Sequence, residues 1–120
     1  MKKVLIVDDD SNILSLVSEV LTRNHYEPLK AQSGTSALEM VKTHRPDLVV
    51  LDIMMPGLNG FEVCKKIKTD PELAAIKIIM LTAKTKPVDI QTARAFGADS
   101  YFTKPFEIAE LLGKIKELIG

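Results

Sequence analysis

Four consecutive aliphatic residues, Leu48-Val49-Val50-Leu51, run straight into an acid, Asp52, and then into a turn, Met54-Met55-Pro56-Gly57-Leu58. A strand that is apolar at every position has no side for water, so it belongs inside a parallel sheet covered by helices on both faces. In open α/β sheets the ligand crevice lies beyond the carboxyl ends of the strands, which puts Asp52 where chemistry is done.

Three other runs end in the same way. Val4-Leu5-Ile6-Val7 leads to Asp8-Asp9-Asp10, Ile78-Ile79-Met80-Leu81 to Thr82, and Ser100-Tyr101-Phe102-Thr103 to Lys104-Pro105. Each residue alone has a bland reading: aspartate after a strand is often a helix N-cap, threonine is a strand former, and lysine is usually a solvated terminus. Four strands delivering acid, acid, hydroxyl and ammonium to one edge are poorly explained by coincidence.

Helical periods separate the strands. Asp10 or Ser11 caps a helix whose apolar face is Ile13, Leu16, Val17, Val20 and Leu21, closed by Asn24 and His25. Tyr26 to Ala31 reads as a weak edge strand, and Ser33-Gly34-Thr35 opens a second helix with Ala37, Leu38 and Val41 inward, ended by Arg45-Pro46. Asn59-Gly60-Phe61-Glu62 resembles a capping box for a third helix with Phe61, Cys64 and Ile67 inward, stopped at Thr69-Asp70-Pro71. A fourth starts near Pro87 and Asp89 and ends at Gly97. The last carries Ile108, Leu111, Leu112, Ile115, Leu118 and Ile119 on one stripe, with Glu110 and Lys114 as a surface pair. The pattern predicts a single α/β domain over residues 1–120: a (βα)5 doubly wound sandwich, flavodoxin-like, with a parallel sheet in the order 2-1-3-4-5. Its switch point falls between strands 1 and 3, which end in Asp8, Asp9 and Asp52.

Sixteen basic and sixteen acidic residues cancel, which argues against a nucleic-acid or membrane surface. One cysteine, Cys64, forms no internal disulfide, and the apolar run after Lys3 is too short for a signal peptide, so the chain is read as cytoplasmic. Cys64 reads as a small core residue, and His25 and His44 as solvated surface residues.

Carboxylates brought to one spot repel each other and are relieved by protons or a cation. An open, oxygen-only site favours Mg²⁺ over Ca²⁺, since nothing here resembles the twelve-residue calcium loop. With charge offset by the ion and Lys104, one carboxylate can act as a nucleophile toward phosphorus while Thr82 offers a hydroxyl to a phosphoryl oxygen.

These ordered motifs, Val7-Asp8-Asp9-Asp10, Leu51-Asp52-Ile53-Met54-Met55-Pro56-Gly57, Leu81-Thr82-Ala83 and Lys104-Pro105-Phe106, resemble the receiver domain of two-component response regulators over essentially the whole chain. The resemblance implies that Asp52 accepts a phosphoryl group from a sensor histidine kinase or phosphotransfer protein. It implies that Asp8, Asp9, Asp52 and the Met54 backbone carbonyl hold Mg²⁺, that Lys104 contacts the phosphoryl group, and that Lys104-Pro105 is cis. It further implies a switch: Thr82 moves toward the phosphoryl oxygens, Tyr101 turns inward, and the surface of the helix from Pro87, the fifth strand and the last helix changes to control an effector domain or protein. Such a domain is no enzyme, catalysing only its own phosphorylation and dephosphorylation. Met54 and Lys84 stand where the family tunes phosphoryl lifetime, and Met54 implies a long one. Ile90 and Ser100 depart from the charged pairs of the winged-helix branch; Asp99, Glu110, Lys114 and Lys116 leave a phosphorylation-dependent dimer open.

Three rivals are weaker. A haloacid-dehalogenase-type phosphatase would use Asp8 as nucleophile, with Thr82 and Lys104 as later motifs, but no acidic pair follows Lys104 and no cap is inserted. A receiver-shaped module that is never phosphorylated has no need of the intact acid set. A flavin carrier lacks a Ser/Thr-rich phosphate loop after strand 1.

Overall fold

Alternation along the central strands divides the core in two. In β1 (Lys3–Val7), β3 (Leu48–Asp52) and β4 (Lys77–Ala83), Leu5, Val7, Val49, Leu51, Ile78 and Met80 face one layer, while Val4, Ile6, Leu48, Val50, Ile79 and Leu81 face the other. All twelve are fully buried, as expected of strands with helices on both sides. The computed structural model describes residues 1–53, 59–83, 91 and 94–120, of 82 and 83 the backbone. Among them the five strands pair in parallel in the order β2-β1-β3-β4-β5, with β2 (Glu27–Ala31) and β5 (Ser100–Lys104) at the edges.

Helices α2 (Gly34–His44) and α3 (Gly60–Thr69) cover the first layer, and α1 (Ser11–Arg23) and α4 (Ile108–Ile119) the second. Their ends follow local chemistry. Asp10, Ser33 and Asn59 each accept a backbone N–H of the first turn, from Asn12, Ser36 and Glu62. Arg45 ends α2 in the left-handed region at φ 47°, and Gly97 takes φ 96° after the short helical stretch Arg94–Ala95. The helix expected from Pro87 lies mostly outside the described residues, as do Met55, Lys84 and Ile90.

Four expectations about surfaces need correction. On α1 the buried residues are Leu14, Val17, Ser18 and Leu21, whereas Leu16 is 52% exposed and Ile13 and Val20 are half-buried. The helix settles on β1 and β2, which turns Leu14 toward the sheet beside Ala31 while Leu16 is left in the groove next to Ile108 of α4, so periodicity alone selected the wrong edge of a wide apolar stripe. On α4, Lys114 pairs with Glu117 at 2.9 Å instead of Glu110. Asp99, counted above for an intermolecular pair, is committed within the chain: it accepts from Ile78 N–H at 2.8 Å and pairs with Lys68 at 3.0 Å. His44, expected to be solvated, is half-buried, while His25 is exposed.

Candidate functional site

The period of two that sorts the core also aims the acids. Asp8 continues the face of Val4 and Ile6, Asp52 that of Leu48 and Val50, and the β1–β3 register ends with Val7 opposite Leu51. Asp8 and Asp52 therefore leave neighbouring strands on the same side. Lys104 reaches them from β5, two residues after Phe102, which packs in that same layer.

Carboxylate oxygens of Asp8, Asp9 and Asp52 lie within 4.8 Å of one another. Asp8 is fully buried and Asp52 is 4% exposed, while Asp9 faces solvent, so the cluster has a closed floor and an open side. The Lys104 ammonium donates to Asp8 Oδ2 at 2.9 Å and to Asp52 Oδ2 at 3.1 Å. Burial alone lowers the affinity of that amine for its proton, but the hydrogen bonds and charges of the two aspartates outweigh it and push its pKa above the ordinary lysine value. Asp8 Oδ1 accepts from the Asp10 backbone N–H at 2.9 Å, which fixes the carboxylate plane. Sequence reasoning missed that contact, because a main-chain donor leaves no mark in residue type.

The donors fit the ion expected from the sequence: all are hard carboxylate oxygens, one of them solvent-facing, an arrangement suited to Mg²⁺ with part of its water shell retained. The Met54 carbonyl expected as a further ligand, and the Thr82 hydroxyl, lie outside the described residues; the backbone of Thr82 pairs with Thr103. Lys104-Pro105 is cis. Tyr101 is half-buried against the first layer and lines a cavity of about 300 Å³ with Arg94, Asp99 and Lys114, away from the acids.

Beyond Lys104 the rim is apolar. A groove of about 410 Å³ runs along Ile13, Leu16, Val17, Pro105, Phe106 and Ile108 and begins at Lys104 itself.

The family model described as response regulator receiver domain matches residues 4–116. The heme response regulator HssR of Staphylococcus saprophyticus is 42% identical over 119 residues, 99% of this chain and 52% of that protein. The alkaline phosphatase synthesis transcriptional regulatory protein PhoP of Bacillus subtilis is 40% identical over 98% of this chain and 48% of its own length. The chain thus spans about half the length of the curated relatives it matches. Among solved structures, the chemotaxis response regulator CheY4 of Vibrio cholerae superposes with a TM-score of 0.91 at 34% identity, covering 99% of both chains. The response regulator TrrA of Thermotoga maritima, solved with Mg²⁺ and BeF, gives 0.86 at 39% identity over 99% of this chain and 100% of that one.

Proposed function

The chain belongs to the family of response regulator receiver domains, and from that premise we propose that it is a signalling switch set by phosphorylation of Asp52. The single observation that carries this reading is the Lys104 ammonium bridging Asp8 and Asp52 in a pocket whose third acid is open to solvent.

The donor is the phosphohistidine of a sensor kinase or phosphotransfer protein. An Asp52 carboxylate oxygen attacks phosphorus, an O–P bond forms as the N–P bond breaks, and the imidazole leaves with the electron pair and takes a proton from solvent. Lys104, held as an ammonium well above neutral pH, shifts its hydrogen bonds from carboxylate to phosphoryl oxygens. Asp8, Asp9 and Asp52, with the Met54 carbonyl, would hold Mg²⁺. That ion supplies charge neutralisation around the transferring group.

The phosphoryl group adds about −1.5 to −2 charge, which biases Thr82, Tyr101 and the surface of β5 and α4 toward an effector domain or partner. On this reading the domain is no enzyme, works in the cytoplasm and makes no nucleic-acid contact of its own. A dimer across β5 and α4 would draw on Glu110 and Lys116, since Asp99 and Lys114 are paired within the chain. The donor protein docks on the groove beside Lys104, where Leu16 leaves apolar surface next to the acids.

Acetyl phosphate with Mg²⁺, followed by intact mass and peptide mapping, tests the assignment. Wild type gains one phosphoryl group on Asp52 and Asp52→Asn gains none. A label on Asp8 would favour the phosphatase reading, and a label that persists in the variant would sink the receiver reading.

A further inference from the structure

Residue 60, the first of α3, sits against the strand exit that carries the acceptor aspartate. Its N–H donates to Ile53 O at 3.1 Å, and Ile53 N–H donates in turn to Leu81 O at 3.0 Å. Ile53, the residue after the acceptor, is thus held between the start of α3 and β4 through its carbonyl and its N–H, while the Asp52 carboxylate is held by Lys104. A Cβ placed on Gly60 would lie 2.6 Å from Asp52 O, 2.7 Å from Ile53 Cα and 3.2 Å from the Asp52 carbonyl carbon. Gly60 is not among the residues with positive φ, so what the position demands is space and not a left-handed conformation.

We propose that Gly60 is a positioning residue for the phosphoacceptor: lacking a side chain, it lets α3 rest directly on the peptide after Asp52 and fix where that carboxylate stands. The inference rests on reading Asp52 as the acceptor. Any side chain at residue 60 meets backbone, which cannot rotate away as a flexible side chain would. Relieving 2.6 Å to an ordinary contact of 3.4 Å moves the peptide by about 0.8 Å. Sites of this kind tolerate about 0.5 Å, and a misplacement of about 1 Å costs roughly a hundredfold in rate.

The test compares Gly60→Ala with Asn59→Ala, which removes the α3 cap without adding bulk, using ¹⁵N-labelled protein and Mg²⁺ alone as the probe. Gly60→Ala is expected to weaken Mg²⁺ binding about tenfold or more, to slow labelling by acetyl phosphate at saturating Mg²⁺, and to speed amide exchange at Ile53 relative to Val50. Asn59→Ala loses stability but keeps wild-type Mg²⁺ affinity and Ile53 protection. A Gly60→Ala protein that binds Mg²⁺ and protects Ile53 as wild type does, or that changes only in step with Asn59→Ala, overturns the proposal. Should it fail to fold, the substitution is repeated on Ser18→Ala/Gly113→Ala, both remote from the site; failure there makes Gly60 a folding residue and also overturns it. Wild type that binds Mg²⁺ but accepts no phosphoryl group defeats the proposed function, while Mg²⁺ affinity and exchange still decide the role of Gly60. Without measurable Mg²⁺ binding, Ile53 exchange decides it.

Discussion

Replacing Lys104 by methionine keeps an unbranched apolar stem, one atom shorter, and removes the charge. What remains is Asp8, fully buried, and Asp52, 4% exposed, with carboxylates close enough to repel. At an effective dielectric of about 20, each contact near 3 Å carries roughly 5 kcal/mol of gross attraction. Desolvation of the three groups offsets most of that, and removing one partner of a buried pair typically costs about 3–5 kcal/mol. The Lys104 side chain is 27% exposed, so solvent screening brings the expected loss to about 2 kcal/mol. For 120 residues, at ~2.1 cal/mol/K of unfolding entropy each, that is a Tm lower by about 8 °C. The assay is urea and thermal unfolding followed by circular dichroism, in EDTA and in Mg²⁺. Mg²⁺ replaces the missing positive charge, so it should raise the stability of Lys104→Met by more than that of wild type. A variant as stable as wild type in EDTA, or one that gains no more from Mg²⁺, would refute the view that Lys104 neutralises this pocket.

Stability should also fall in wild type as pH rises through the elevated pKa of Lys104, beyond the ordinary lysine value of 10.5; it is fully present below that value, and Lys104→Met should lose this part of the slope. Burial, opposed by Lys68 and reinforced by Asp99, pushes the Cys64 thiol up to about 11. Its contribution is therefore intact below the unfolded value near 9 and is lost between 9 and 11; Cys64→Ala flattens that limb, and native protein resists iodoacetamide at pH 8. Ser18 Oγ is buried with no hydrogen-bond partner, and nothing lies within 4 Å of a Cβ on Gly113, so Ser18→Ala and Gly113→Ala should each stabilise by about 0.5–1 kcal/mol in urea titrations. Leu16→Lys should slow transfer from a phosphohistidine donor protein while leaving labelling by acetyl phosphate and Tm near wild type, as expected for an exposed groove residue.

The strand and helix pattern was legible because the signals are local. Continuous aliphatic runs, the caps Asp10, Ser33 and Asn59, and the stops at Arg45-Pro46 and Gly97 depend only on near neighbours. The meeting of Asp8, Asp9, Asp52 and Lys104 was legible one step further on, because parallel strands in this order bring their carboxyl ends together. Leu14 against Leu16 was not legible: six apolar residues on α1 offer two adjoining faces, and only the way the helix settles on β1 and β2 selects between them.

Sequence by itself determined which residues stand at the carboxyl rim of the sheet, since period and turn chemistry act over a few residues. Tertiary structure decided what they touch. Lys104 bridges Asp52 from two strands away and Asp8 from three, Asp99 is taken up by Lys68 and Ile78, and Gly60 lies on the Asp52 carbonyl. Those contacts join residues of different elements, at separations set by how strands and helices settle against one another, and no local preference encodes a distance of that kind.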